Sequence, residues 1–344
     1  MTESPAGALE RLAEATDASF PHLFAARERT EDSLRDRRQK LSELGTDRDA
    51  SVVLMGSWGR RELTGESDDD YMVILNGRER TDPRPRLDAV RRVVGGGERK
   101  PGAEGTFDDY VYSRHLAERI GLDRDDNRNL TRRMLLVLES LPAVGEHAYH
   151  EARAAVLDGY LDVSVRDFRP PRFFLNDTVR YWRTICVDFV GKERERGGEG
   201  WGLRNAKLRT SRKLLFASGL LPILECHKYT AAGMRPFLEA QLAAPPTDRV
   251  ADAFIRHGAI DAGGRAFEAY DRFIGLLHDP PSRRSLQDLS REEADESPAF
   301  AEARRIGREL EGSLLSLLFE TDELRALVRE FGISDRGCAS QETA

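Results

Sequence analysis

Asp68 and Asp70 are the residues of this chain best suited to chemistry. They sit in Ser67-Asp68-Asp69-Asp70, directly ahead of the apolar run Tyr71 to Leu75. Side chains alternate across a strand, so Asp68 and Asp70 point to one side and Asp69 to the other. Two carboxylates side by side on rigid backbone suit hard divalent cations, above all Mg²⁺ and in second place Mn²⁺. The bland alternative is an Asx-rich turn between strands, but three consecutive acids repel one another unless a cation offsets the charge. Upstream, the apolar run Val52 to Met55 ends in Gly56-Ser57-Trp58-Gly59-Arg60-Arg61-Glu62. A Gly-Ser turn offers backbone N–H groups and a hydroxyl to phosphate oxygens, which makes Gly56 and Ser57 candidate nucleotide-binding residues. Metal ligands beside a phosphate cradle mean nucleotide chemistry. The elements that must position them are a strand, a glycine turn, a short helix and a second strand. Arg60 and Glu62 read as an internal ion pair bracing the helix, and Ser67 as a backbone hydrogen-bonding residue that fixes the approach to Asp68.

The pattern G-S-x-G-R-x-E-(x)4-S-D-x-D resembles the signature of the DNA polymerase β-like nucleotidyltransferase superfamily. The Gly59-Arg60-x-Glu62 element is most similar to the branch containing the bacterial nitrogen-regulatory protein uridylyltransferases. Eight positions match at fixed spacing, with apolar runs on both sides, all within residues 52–75. The resemblance implies an α+β fold, a small polymerase β-like nucleotidyltransferase α/β domain followed by a mainly helical domain. It also implies a third carboxylate on a later strand. Only Phe107-Asp108-Asp109-Tyr110-Val111-Tyr112 has that character. Asp108 and Asp109 face opposite sides of such a strand. Asp109, which shares a face with Phe107 and Val111, is the favoured choice, and an acidic loop ahead of the strand is the alternative.

The implied reaction is Mg²⁺-dependent transfer of a nucleoside monophosphate from an NTP to a hydroxyl acceptor, with release of pyrophosphate. The acceptor is a protein, an RNA end or a small molecule. Two Mg²⁺ ions roughly 3.5–4 Å apart would be held by Asp68, Asp70 and Asp109. A close variant is a synthase of a nucleotide second messenger. A different class is a regulatory protein that binds nucleotide without turnover, which the intact acids and Gly-Ser turn disfavour.

The second informative region, Trp201 to Leu224, carries Arg204, Lys207, Arg209, Arg212 and Lys213 and no acid. Read as one helix over Leu203 to Ser218, it places Arg204, Lys207 and Ser211 on one face. A lysine and a serine one turn apart can clamp β- and γ-phosphates, which makes Arg204, Lys207 and Ser211 nucleotide-binding candidates; a solvated basic face is the alternative. Many members of the superfamily place such a helix across the cleft from the metal acids. Asn176, Arg180 and Arg183 share another helical face, where packing and inter-helix ion pairs are the better reading. Tyr181, Trp182 and Trp201 read as core before they read as base-stacking residues.

The chain of 344 residues exceeds one typical domain. The expected division is N-terminal helices over 1–48, the catalytic domain over 49–125, and a helical domain completing the nucleotide cleft over 126–344. Net charge is −7, from 53 basic and 60 acidic residues, which argues against a generally basic nucleic-acid coat and, weakly, against a toxin acting on tRNA. The three cysteines and seven histidines show no metal-ligand spacing. Met1 to Glu10 is polar and acidic with no signal-peptide core, and no run approaches a membrane span, so a cytoplasmic protein without a membrane partner is expected. Helices are expected within 6–45 and over Leu87 to Val94, Asn129 to Leu141, Glu146 to Leu161 and Arg172 to Val190, with a strand over Thr106 to Tyr112 and a glycine loop at Gly95-Gly96-Gly97.

Overall fold

The two apolar runs that flank the glycine turn pair with each other. Strand β1 (Ala50–Met55) and β2 (Tyr71–Leu75) are antiparallel, with Val52 opposite Val73 and Leu54 opposite Tyr71. Both are rich in β-branched and long apolar side chains, and both are buried along nearly their whole length because each face of the sheet is covered. The computed structural model describes residues 6–45, 48–77, 83–94, 107, 109–162, 165–195 and 197–330. Thr106, Asp108, Gly95 to Gly97 and Cys338 lie outside the described residues. Strand β3 (Asp109–Tyr112) runs parallel to β2, with Asp109 beside Met72. Strand β4 (Ser140–Val144) is antiparallel to β1 and completes a four-stranded sheet of order β3-β2-β1-β4.

The fold is α+β. Helices α1 (Ala8–Thr16) and α2 (Pro21–Ser42) precede the sheet, and α3 (Ser57–Arg60) and α4 (Arg84–Val94) interrupt it. Helices α5 (Ser113–Ala117) and α6 (Asn127–Leu138) lie between β3 and β4. The chain then continues as α7 (Glu146–Asp162), α8 (Arg172–Glu195), α9 (Trp201–Arg209), α10 (Ser211–Glu225) and α11 (Ala231–Ala243). It finishes as α12 (Pro246–Arg256), α13 (Ile260–His278), α14 (Pro280–Gln287), α15 (Pro298–Glu320) and α16 (Asp322–Glu330). One sheet face, with Val52, Leu54, Tyr71 and Val73, packs on Leu34 and Leu41 of α2 and Leu87, Val90 and Val94 of α4. The other face, with Val53, Met55, Met72, Ile74 and Val111, belongs to the larger core built by the later helices. Among the described residues no helix is long and apolar enough to cross a membrane.

Two expected helices end differently. The one over Asn129 to Leu141 stops at Leu138, because Glu139 turns out of the helix (φ −145°, ψ 55°) and the next residues form β4. Pro142 is tolerated there because β4 is an edge strand, where a missing N–H costs little. The helix over Leu203 to Ser218 is two helices, broken at Thr210 (φ −122°, ψ −91°). The Thr210 hydroxyl donates to the Ala206 carbonyl at 2.7 Å, a local bond that competes with helix continuation.

Buried ion pairs join the helices. Arg133 of α6, with 0% exposure, reaches Asp125 at 2.6 Å and Asp177 of α8 at 2.5 Å, while its Nε donates to the Tyr160 hydroxyl of α7 at 2.7 Å. Arg180 joins the same acids, at 3.0 Å from Asp177 and 3.6 Å from Asp125, the ion pairing expected of it, while Asn176 and Arg183 of the same face are exposed. Pro222, inside α10, has no N–H for the carbonyl of Ser218. The buried Arg249 of α12 donates to that carbonyl at 3.3 Å and also caps the Leu138 carbonyl at the end of α6. Burial and the nearby Arg153 pull the Arg249 guanidinium down to about 9.

Candidate active site

Strand β1 delivers its last residue to Gly56, whose φ of +64° favours glycine. A β-carbon there would also lie 3.0 Å from Oδ2 of Asp70, so the turn passes directly against that carboxylate. The Met55 amide donates to the Asp70 carbonyl at 2.9 Å and locks the acid beside the turn. Ser57 opens α3, which ends after one turn because Arg61 is left-handed (φ +58°). The Glu62 amide closes the turn on the Ser57 carbonyl at 2.8 Å.

The loop from Leu63 to Asp70 is held from several sides. The Ser67 hydroxyl accepts from the Thr64 amide at 2.9 Å, and the Thr30 hydroxyl of α2 accepts from the Leu63 amide at 3.2 Å. Asp69 turns away from its neighbours into an ion pair with Arg37 of α2 at 2.6 Å. Arg283 of α14, which is 7% exposed, binds the Glu66 carboxylate at 2.7 Å and the Glu66 carbonyl at 2.9 Å. Asp68 is left exposed and Asp70 partly buried. Among the described residues, no hydrogen bond or ion pair reaches either carboxylate.

The surroundings are strongly charged. The Asp70 carboxyl is pushed up to about 6, by burial first and by the charges of Asp68 and Glu139, against the opposing Arg212 and Arg60. Lys207, in the last turn of α9, is pulled down to about 8 by burial and by Arg283, Arg212 and Arg60, with Asp68 acting the other way. These mutual influences link Asp68, Asp70, Lys207, Arg60, Arg212, Arg283 and Glu139 into one charged region, the candidate cleft. Lys207, too, has no hydrogen bond or ion pair among the described residues.

Under the cleft lies an ion network. Arg60 Nε reaches Glu62 at 2.8 Å, the internal pair expected from the sequence, and its Nη1 binds Glu139. Glu139 has 0% exposure and also accepts from Arg212 Nη1 and the Tyr181 hydroxyl, both at 3.3 Å. Burial alone would lower the Arg60 guanidinium, and Glu139 and Glu62 more than reverse that. The Tyr270 hydroxyl of α13 donates to Glu62 at 2.7 Å, which anchors the turn to the helical core.

The sequence-derived site residues are therefore distributed as follows. Gly56 lies against Asp70 at the turn, with Ser57 next to it and Asp68 two residues before Asp70, and Lys207 is within electrostatic reach of Asp68. Ser211 starts α10, beyond the break at Thr210, so it does not share a helical face with Lys207; its buried hydroxyl is directed at the Lys207 carbonyl at 3.4 Å. Arg204 folds back over Gly200, where a β-carbon would lie 3.2 Å from its Nη1. Asp109 is ion-paired with Arg132 at 2.5 Å. Among the described residues no group of three His, Cys, Asp or Glu side chains is arranged to hold a metal. The chain's own donor set is the pair Asp68 and Asp70. Two hard oxygen donors that repel one another and, among the described residues, make no hydrogen bond or ion pair fit a divalent cation of the Mg²⁺ or Mn²⁺ kind, whose other positions go to water and phosphate.

Three residues of the cleft escaped sequence reasoning: Glu139, Arg212 as part of the site, and Arg283. Glu139 left a signal, a lone acid following the apolar run Met134 to Leu138, since a buried acid must find a cationic partner. Arg283 left none.

No curated protein shows significant similarity to the chain. Residues 9–96, which span α1 through α4 with both central strands and the acid pair, match the family described as "Putative nucleotidyltransferase DUF294". That match supports a nucleotidyltransferase family for the segment that carries Asp68 and Asp70.

Proposed function

We propose that this protein is a Mg²⁺-dependent nucleotidyltransferase that moves a nucleoside monophosphate from an NTP to a hydroxyl of a protein, an RNA end or a small molecule. The observation that carries this reading is the acid pair Asp68 and Asp70, electrostatically coupled to Lys207, with none of the three hydrogen-bonded or ion-paired among the described residues. Asp68 and Asp70 would hold the metal, and Asp109 would join them only by giving up Arg132. When bound, Mg²⁺ neutralises phosphate charge and lowers the pKa of a coordinated hydroxyl. Gly56, having no side chain, lets the triphosphate approach the backbone, and the Ser57 hydroxyl donates to a phosphate oxygen. Lys207 carries its ammonium at neutral pH and meets the β- and γ-phosphates. The acceptor oxygen forms a bond to the α-phosphorus as the bond to the bridging oxygen breaks, the acceptor proton passes to solvent, and pyrophosphate leaves. The similarity of Gly59-Arg60-x-Glu62 to the uridylyltransferase branch makes UTP the first nucleotide to try.

The test is incubation with each α-³²P-labelled NTP and Mg²⁺, with and without host lysate, beside Asp68→Ala/Asp70→Ala. Products are resolved by thin-layer chromatography and gel. Label in a protein or RNA band, absent from the variant, identifies a macromolecular acceptor. Label confined to a small product identifies a metabolite or a second messenger. NTP binding without transfer under any condition overturns the reading in favour of a nucleotide-sensing protein.

A further inference from the structure

The cations around the cleft are not equally available to a ligand. Arg60 is committed to Glu62 and Glu139, and Arg283 to Glu66. Lys213, the neighbour of Arg212, points to Glu311 of α15 at 2.8 Å. Arg212 differs from all of these. Among the described residues its single bond is the 3.3 Å contact from Nη1 to Glu139, and its side chain keeps 33% exposure. Among the described residues, its Nε and Nη2 have no partner. Its charge is felt by both Asp70 and Lys207, so it lies within electrostatic reach of each. A guanidinium tethered by one nitrogen and open at the others is arranged to take a planar pair of phosphate oxygens.

Glu139 is the tether. It is fully buried, and three donors from three helices converge on it: Arg60, Arg212 and Tyr181. Its negative charge sits beside an acid pair, where it raises Asp70 and opposes an incoming polyphosphate. A carboxylate there offsets the buried Arg60 but is electrostatically adverse to an anionic ligand, so what it can add to ligand binding is geometry.

We infer that Arg212 is a triphosphate-binding residue of this cleft and that Glu139 is the positioning residue that aims its guanidinium; the inference rests on the nucleotidyltransferase reading. Lys207 then meets the polyphosphate as a point charge, and Arg212 as a two-pronged donor.

The test is isothermal titration of the full chain with inorganic tripolyphosphate and with the four NTPs, each with Mg²⁺. Wild type is compared with Arg212→Ala, Glu139→Gln and Lys213→Ala, with thermal melts to show that each is folded. Arg212→Ala should weaken tripolyphosphate and NTP binding by about tenfold or more, the usual effect of losing a charge-assisted pair. Lys213→Ala should leave it unchanged. Glu139→Gln separates geometry from charge: it makes the cleft more positive, so a background electrostatic role predicts tighter binding, whereas a positioning role predicts weaker binding. Unchanged binding in Arg212→Ala, with wild type binding well, overturns the inference and leaves the nucleotidyltransferase reading standing. Equal or tighter binding in Glu139→Gln overturns the positioning role. A wild type that binds neither tripolyphosphate nor any NTP overturns the reading itself. If Arg212→Ala does not fold, Arg212→Gln carries the same comparison.

Discussion

Gly59 lies so close to Glu139 that a β-carbon on it would sit 2.1 Å from the Glu139 carbonyl carbon and oxygen. The next residue, Arg60, binds the side chain of the same glutamate. One buried residue of the α6–β4 junction thus accounts for two consecutive positions of the Gly59-Arg60 element. Gly59→Ala should cost about 2–3 kcal/mol, because the clash is with backbone that cannot swing aside. Gly191→Ala, on an α8 face with nothing within 4 Å, should instead stabilise by about 0.5–1 kcal/mol. Urea denaturation of the two variants checks the contrast.

The raised Asp70 carboxyl has a definite pH signature. An acid raised in the folded state to about 6 binds its proton more tightly than it does unfolded. It therefore costs nothing below the unfolded value near 3.8, and the penalty grows as pH rises and is complete above about 6. Asp70→Asn should raise stability by about 1–3 kcal/mol at pH 7 and leave it unchanged below pH 4. In wild type, stabilisation by Mg²⁺ should increase as pH rises from 5 to 7, since the proton competes with the cation; Asp70→Asn should lose that increase. Thermal melts across pH with and without Mg²⁺ read both effects.

Lys207 behaves in the opposite sense. Its ammonium is lowered to about 8, so the unliganded fold carries a penalty at neutral pH that is relieved between about 8 and 10.5. Lys207→Met should stabilise the unliganded protein at pH 7 and weaken triphosphate binding. In wild type, triphosphate affinity should fall as pH rises from 7 to 9 and the ammonium is lost, and Lys207→Met should show no such fall. Titration calorimetry at the two pH values checks the sign.

The buried ions around Arg133 make a further prediction. Asp177→Ala removes one of two carboxylates facing a guanidinium with 0% exposure. It should cost about 3–5 kcal/mol by leaving buried charge uncompensated. Arg133→Met in the same chain should recover part of that loss, because the surplus buried cation is gone and Asp125 keeps Arg180 and Asn129 as partners. Chemical denaturation of the two variants reads the coupling.

Much of the site could be read from the sequence because its geometry is local. The glycine turn, the alternation of Asp68, Asp69 and Asp70, and the Arg60–Glu62 pair all arise within residues 50–75, where strand period and turn chemistry decide where side chains point. The α+β arrangement was legible for the same reason, through apolar runs followed by helical periodicity. Long-range partners were not. Nothing near Asp109 in sequence announces Arg132, and nothing near Glu66 announces Arg283, 217 positions away. Strand β4 was hidden because Leu141 resumes the apolar pattern after a gap of only two residues beyond Met134 to Leu138, and periodicity cannot mark where a buried helix turns into a strand. The break at Thr210 escaped because threonine sits as readily inside a helix as at its end.

Arg283 grips the loop that carries the acid pair, yet it is made long after that loop. With synthesis at about 5–20 residues per second, the acids emerge from the ribosome about 10–40 s before α14 exists to hold them. Lys207 and Arg212 also arrive in that interval, ahead of the last clamp. The nascent chain therefore passes through a period in which the acidic loop is present without its full grip, and the cleft closes as one of the later events of folding. A chaperone or a tethered partner that held back residues 280–287 would leave the acidic loop without its Arg283 clamp, and would do so without touching a single residue of the sheet.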